Sequence, residues 1–278
     1  WRDWSSDVCS SDLIETITVT GKDEFAGLKL VDIGKLHVGL NIWSVFSGDY
    51  EITGLTLDKP NFYVKVLKNG KANYDIVKPD TAATTATDTA TASSEPSSFH
   101  LALRYYAINE ANITYDDGQA GTFLEIKNLT HSGSGNFGTE RYDIYTKTKI
   151  DAMTFAQSGV KYLTRTRIGI DFIADIDATK GMNIKLRDNS FKFNELGLAL
   201  EGEVDMPKDK DDIYLDLTFK TADTKFSSVL SMIPAAYTKD YADVKTSGSF
   251  NLAGNVKGIY NEKQLPAFAL QLGIDNAE

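Results

Sequence analysis

Residues 167–177 read RIGIDFIADID. Ile168, Ile170, Phe172, Ala174 and Ile176 fill every second position, with Arg167, Asp171, Asp175 and Asp177 between them. A period of two marks a strand with one apolar and one wet face; a helix would return its apolar residues every three to four positions. The alternation recurs downstream. Leu196, Leu198, Leu200, Gly202, Val204 and Met206 carry it over 196–206, and Ile213, Leu215, Leu217 and Phe219 over 212–220. Phe268, Leu270, Leu272 and Ile274 carry it over 267–274. Strands with one greasy face suit antiparallel pairing, so the chain reads as mainly β.

Turn chemistry lies between these runs. Asn69-Gly70 separates FYVKVLK from KANYDIV and predicts a tight hairpin. Asp117-Gly118 predicts a second turn, with Gly118 supplying a positive φ. Lys208 to Asp212 predicts a polar turn. One segment departs from the pattern: in ADTKFSSVLSMIP, Phe226, Val229, Leu230 and Ile233 recur at helical spacing. Asp223 or Thr224 caps its start and Pro234 ends it. A shorter helical turn is predicted at Trp43 to Phe46. Residues 81–98, TAATTATDTATASSEPSS, hold no large apolar side chain and read as a linker or long loop. They divide a smaller module, 14–80, from a larger one, 99–278. ITGLTLDKPNFYVKV and YYAINEANITYDDGQAGTFLEI both run strand, polar break, strand, a weak internal echo.

The opening thirteen residues, WRDWSSDVCSSDL, lack periodicity and do not resemble a signal peptide. Asp3 to Leu13 resembles the in-frame translation of a widely used sequencing-adapter DNA. We read 1–13 as a processing scar and exclude it from fold reasoning. Setting it aside removes the chain's one Cys, and removes one Arg and three Asp, taking the net charge from −10 to −8. The expectation is that the natural N-terminus, with any targeting or membrane segment, lies upstream.

Composition excludes several classes. An excess of acidic over basic residues opposes nucleic-acid binding, which relies on Lys and Arg neutralising phosphates. A disulfide framework needs more than one cysteine. No apolar run approaches the roughly 18–20 residues of a membrane-spanning helix. Gly133 to Gly138, GSGNFG, matches the dinucleotide glycine pattern, but the following TERYDIYTKTKI alternates as a strand where a helix N-terminus is needed. The histidines His37, His100 and His131 have no ligand spacing, and no cysteine completes a zinc set. Asp209, Asp211 and Asp212 lack the oxygen order and glycine of a calcium loop. Asn112-Ile-Thr and Asn128-Leu-Thr match the glycosylation sequon, a common chance pattern. No catalytic, cofactor or metal residue is expected. A glycosidase-type carboxylate pair stays open in principle, because its members need only meet in space.

Many amphipathic strands with almost no helix raise the question of what covers the apolar face. A sandwich or closed barrel covers it with more sheet. A curled, open sheet leaves a trough for an apolar ligand. Periodicity alone favours the packed core.

A further likeness shifts that balance. SVFSGDYEITGLTLDKPNFYVKVLKNGKANYDI resembles the N-terminal region of the AsmA family of Gram-negative envelope proteins. The matching positions are Ser44, Val45, Phe46, Gly48, Ile52, Leu55, Leu57, Pro60, Gly70, Asn73, Tyr74 and Asp75. Tyr74 stands where Trp is frequent. INEANITYDD, FSSVLSMIPAAYTKDYADVKTSGSFNLAGNVKG and PAFALQLGIDNA also resemble AsmA-type units, so the likeness covers nearly all of 14–278.

The resemblance implies an elongated, curled antiparallel β-sheet, groove-like or an open barrel, with one or two short helices. It implies the periplasmic body of an inner-membrane-anchored protein, the anchor lying in the missing N-terminus and the β-rich body 99–278 being truncated at its C-terminus, with further repeats behind. It implies a non-enzymatic role in outer-membrane assembly, with phospholipid or another acyl-chain lipid as partner and envelope proteins as further partners. The groove candidates are then Ile168, Ile170, Phe172, Leu196, Leu198, Leu200, Ile213, Leu215, Leu217, Phe219, Phe268, Leu270 and Leu272. The alternatives are a scaffold for outer-membrane protein assembly, with a dry closed interior, and a carbohydrate-active β enzyme.

Overall fold

The computed structural model describes residues 9–41, 50–75, 99–136, 139–221, 224–230 and 247–276. In chain order the strands are β1 (Cys9–Thr20), β2 (Lys29–Asn41), β3 (Tyr50–Asp58), β4 (Asn61–Val66), β5 (Phe99–Asp117), β6 (Thr122–Gly135) and β7 (Arg141–Gln157). They continue as β8 (Val160–Asp177), β9 (Gly181–Phe193), β10 (Leu196–Pro207), β11 (Ile213–Thr221), β12 (Thr224–Lys225), β13 (Ser249–Tyr260) and β14 (Ala267–Asp275). A 3-10 turn at Asp23–Phe25 and a short helix α1 (Phe226–Leu230) complete the described elements.

All fourteen strands belong to one curled sheet that does not close into a barrel. The alternating segments are strands as expected, and 226–230 is helical. Residues 42–49, which hold the helical turn expected at Trp43 to Phe46, lie outside the described residues, as do 76–98 and 231–246.

Two details differ from the sequence reading. The sheet is mixed, because β5 runs parallel to both β3 and β4. A parallel pair needs a long return path, and the chain between Val66 and Phe99 is ample for it. The strands on either side of 76–98 thus share one sheet. The turn after β5 also takes its positive φ from Gly121 (φ 68), not Gly118. Asp117 Oδ1 accepts from the amides of Gln119 and Ala120, which lengthens the turn and moves its left-handed residue to the end. Gly118 instead donates its N–H to the Val66 carbonyl at 2.8 Å.

Asn69-Gly70 does form a turn, but the returning arm makes a single bridge, Val66 to Ala72, rather than a strand. The side chain of Asn73 then does a strand's work. Its Oδ1 accepts from Lys65 N at 2.9 Å and its Nδ2 donates to Tyr63 O at 2.6 Å. Asp75 accepts from Ala72 N at 3.2 Å. The ion pair of Lys71 with Glu24 ties this loop to the 3-10 turn, whose Phe25 is buried. The structure also extends β1 back through residues 9–13, which pair with 37–41 of β2.

A crease crosses the sheet where consecutive strands carry a left-handed residue or a register shift. Lys59 lies between β3 and β4, Glu110 in β5, Asn128 in β6 and Arg165 in β8, all with φ of 50–54°. The register of β7 on β8 slips between Ile150 and Met153. Bulges of this kind bend strands and sharpen twist. Each left-handed non-glycine residue costs about 1–2 kcal/mol, which a polar seam along the crease offsets. Asn109 donates to Asp58 at 2.7 Å, Asn112 to Asn61 at 3.0 Å, and Asn128 to Asp151. The Asn128 bond, with help from Lys149, holds the Asp151 carboxyl below its ordinary range. Beside the seam sit Pro60, Ala111, Ile150, Ala152, Thr166 and Ile168, all buried. The packed core lies at this bend.

Candidate functional site

Along β7 the even positions from Tyr142 to Ile150 are half-buried or buried, and the odd positions from Arg141 to Lys149 are exposed. No second layer covers either face among the described residues, so the less exposed face is the inside of the curl. Register carries that face from strand to strand, because directly opposed residues point the same way. One row runs Ile14, Leu36, Leu57, Ile108, His131, Thr148, Ile170, Phe191, Leu198, Thr221. A second runs Ala111, Leu129, Ile150, Ile168, Phe193, Leu196. On the other side, Leu200, Phe219, Gly254 and Leu270 form one row, and Gly202, Leu217, Val256 and Phe268 the next.

The thirteen groove candidates therefore share one apolar face. Phe172 joins it opposite Thr146, Leu215 opposite Val204, Ile213 opposite Tyr260 and Leu272 opposite Leu252. Their exposure grades along the sheet. Ile168 is buried, Leu196 to Phe219 are intermediate, and Phe268, Leu270 and Leu272 stand in solvent.

Sequence reasoning left out β9 and β13. The apolar residues of β9 change phase, from Met182, Ile184 and Leu186 to Phe191 and Phe193. Asp188, left-handed at φ 50, absorbs the extra residue, and both halves then face the same way. Asn189 fills the irregularity: Oδ1 accepts from Ile173 N at 2.6 Å and Nδ2 donates to Ile173 O at 3.1 Å. Two short alternating runs split by Arg-Asp-Asn are the signal that would have found it. In β13 the signal was diluted by Gly254 and Gly258 at inward positions. Gly254 sits beneath the Phe219 ring, where a Cβ would come within 2.6 Å of Cζ.

One polar group interrupts the face. His131 Nδ1 lies 2.8 Å from Thr148 Oγ1, and Nε2 lies 3.2 Å from the Tyr106 hydroxyl. Burial lowers the imidazole pKa and raises that of the phenol, so both groups are neutral at pH 7. The Tyr106 ring lies across Gly133, where any side chain would collide with it. Gly133 thus belongs to a strand that accommodates an aromatic ring, and not to a phosphate loop. His37 sits 3.2 Å from Asp58, and His100 lies in β5.

The outer face carries charge. Arg141 pairs with Asp177 at 2.8 Å, Arg187 with Asp175, and Lys257 with Asp216 at 2.6 Å. Thr179, through its hydroxyl and amide, and then Arg141 bring the Asp177 carboxyl down to about 2. These are solvated cross-strand pairs, each of small energetic weight. Among the described residues no cluster of His, Cys, Asp or Glu has the geometry of a metal site. No described helix is long and apolar enough to cross a membrane, which says nothing of strands.

Comparison with known proteins gives one match of family scale. The AsmA family model matches residues 13–249. No curated protein and no solved structure matches the chain.

Proposed function

The chain belongs to the AsmA family, a family of bacterial envelope proteins, and from that premise we propose that its curled sheet holds phospholipid acyl chains along the apolar inner face. The observation that carries this reading is the continuity of that face. It runs through the registers of β8, β9, β10, β11, β13 and β14 without a charged residue, and no second sheet or long helix covers it among the described residues. Such a surface needs no polar recognition site, since each CH₂ it takes from water contributes about 0.8 kcal/mol. His131, Thr148 and Tyr106 satisfy one another, so the polar step presents no unpaired charge to a passing chain.

In this reading the protein works in the periplasm without catalysing a reaction, and serves outer-membrane homeostasis by shielding or conducting lipid. Lipid extraction and mass spectrometry of the purified protein test it. Phospholipid recovered in near-stoichiometric amount supports the proposal, and lipid-free protein with a dry inner face overturns it. Leu215→Glu places a charge midway along the face at a half-buried position. We expect a folded protein that loses bound lipid and transfer. If the variant unfolds instead, Leu215 is packed core and the groove reading fails there.

A further inference from the structure

The charged outer face is interrupted by a different arrangement. Register sets Gly39, Gly54, Tyr105, Ser134, Tyr145 and Ile173 in one row across β2, β3, β5, β6, β7 and β8. The next row runs Thr56, Ala107, Ser132, Lys147 and Asp171. The odd positions of β7 point outward, and directly opposed residues share a face, so both rows look outward. Two tyrosines therefore stand on either side of Ser134. Glycine lies beyond Tyr105, and the small Ala107 and Ser132 lie alongside. Such neighbours cannot cover the rings, which stay 48% and 47% exposed. A cavity of about 280 Å³ opens here, lined between the tyrosines by Ser132, Gly133 and Ser134. A hollow on the convex side of a curled sheet needs a gap in the side-chain layer, and the serines leave one. Its rims are held. Arg187, itself paired with Asp175, hydrogen-bonds the Tyr145 hydroxyl. On the other side Lys147 Nζ lies 3.2 Å from Asp171 Oδ1.

We propose that this slot binds one pyranose ring of a neutral, gluco-configured glycan between Tyr105 and Tyr145. The two residues are two strand spacings apart, about 10 Å between their backbones. Carbon atoms pack at about 3.5–4.0 Å, so the gap admits one saturated ring in contact with both side chains. A pyranose with all its substituents equatorial presents C–H groups on both faces and hydroxyls around its edge. The faces match the two aromatic walls. The edge matches the hydroxyls of Ser132 and Ser134 and the Lys147–Asp171 pair, whose donors and acceptors exceed the one bond between them. Apolar walls with a few oriented polar groups are the usual make-up of a small-molecule site. An acyl chain would desolvate those polar groups without replacing their bonds to water. An anion is disfavoured, because the carboxylates of Asp143, Asp171 and Asp175 outnumber the cations of Lys147 and Arg187. The slot lies on the opposite face from the acyl lane, so its success or failure leaves the lipid reading untouched.

Isothermal titration calorimetry of the purified chain with cellotetraose tests the proposal, and saturable binding is expected. Tyr105→Ala and Tyr145→Ala should each weaken it at least about tenfold, the scale of one lost aromatic contact. Ser134→Phe keeps both walls and fills the gap between them, so it should abolish binding. Circular dichroism of all three should keep the β-sheet signal of the parent chain. Should an alanine variant lose that signal, Ser134→Phe decides alone. β-1,4-Mannotetraose has the same linkage with the C2 hydroxyl turned axial onto one face, and should bind several-fold more weakly. Absence of saturable cellotetraose binding overturns the proposal. So does undiminished binding by Ser134→Phe, or mannotetraose binding as tightly as cellotetraose. A slot that takes a proline-rich peptide and ignores the sugars overturns it as well, since the tyrosines would then serve a protein partner.

Discussion

The creased part of the sheet and its β13–β14 edge use the same alternation and end in different states. At the crease, Ile150 and Ile168 are buried and Ala111 is sealed from solvent. Along β14, residues of the same kind in the same phase are more than 40% exposed. Strand composition does not separate the two. What differs is the backbone: left-handed Lys59, Glu110, Asn128 and Arg165 and the register slip of β7 on β8 mark the first region, while β14 pairs with β13 without a break. Alternation assigns each residue a face, and the buried stretch of that face lies where the bulges are.

The sharpest way to break this comparison is a charge placed in each region. Ile168→Asp puts an unpaired carboxylate in the bend and should lower unfolding free energy by about 4 kcal/mol or more, enough to prevent folding in a protein of ordinary stability. Phe268→Asp should change it by less than about 0.5 kcal/mol. Urea unfolding followed by circular dichroism reads both. Equal losses would mean that the β14 face is covered in solution.

A smaller contrast lies in the asparagines. Asn73 and Asn189 are 2% and 1% exposed, and each bonds both a backbone N–H and a backbone C=O of a strand. Replacing either by Ala strands two buried backbone groups and should cost about 2–3 kcal/mol. Asn251→Ala, at an exposed position on β13 with one bond to Asp275, should cost less than about 0.5 kcal/mol in the same assay. A loss at Asn251 equal to that at Asn189 would show that the edge is as tightly specified as the bend.

These particulars mark what was legible in the sequence. Period-two runs placed β8, β10, β11 and β14, and put the apolar residues of each on one face, because alternation and face are one geometric fact. The parallel placement of β5 was not legible, since pairing order depends on contacts distant in sequence. Nor was the crease. Its left-handed residues are Lys, Glu, Asn and Arg, and of these only Asn is suited by type to that conformation. The Gly70, Asn73, Asp75 pattern was noticed as a family feature, but its physical role, a side chain replacing a strand, appeared only with Lys65 and Tyr63 placed beside it. His131 read only as a histidine without ligand spacing. Its position on the apolar face follows from its register with Ile108 and Thr148.

The smallest contrast sets the inner face against the outer through two titrations. Both His131 and Asp177 have lowered pKa values, for opposite reasons. Burial disfavours the charged imidazole, whereas hydrogen bonds from Thr179 and then Arg141 favour the charged carboxylate. The linkage signs agree and the windows do not. Neutral His131 contributes its full stability above about pH 6.5, and loses it as pH falls from there to its lower folded value. Asp177 contributes above its ordinary value of 3.8, and loses that share as pH falls through about 2. His131→Phe should therefore flatten the pH dependence of the urea midpoint just below neutrality and leave the acid limb alone. Asp177→Asn should do the reverse. Added salt should weaken the Asp177 effect, because Arg141 and Asp177 are exposed, and leave the desolvation at His131 in place. A His131 resonance that titrates at the ordinary histidine value in a proton NMR series would show that the inner face is open to water, and would move the boundary between the two regions of the sheet.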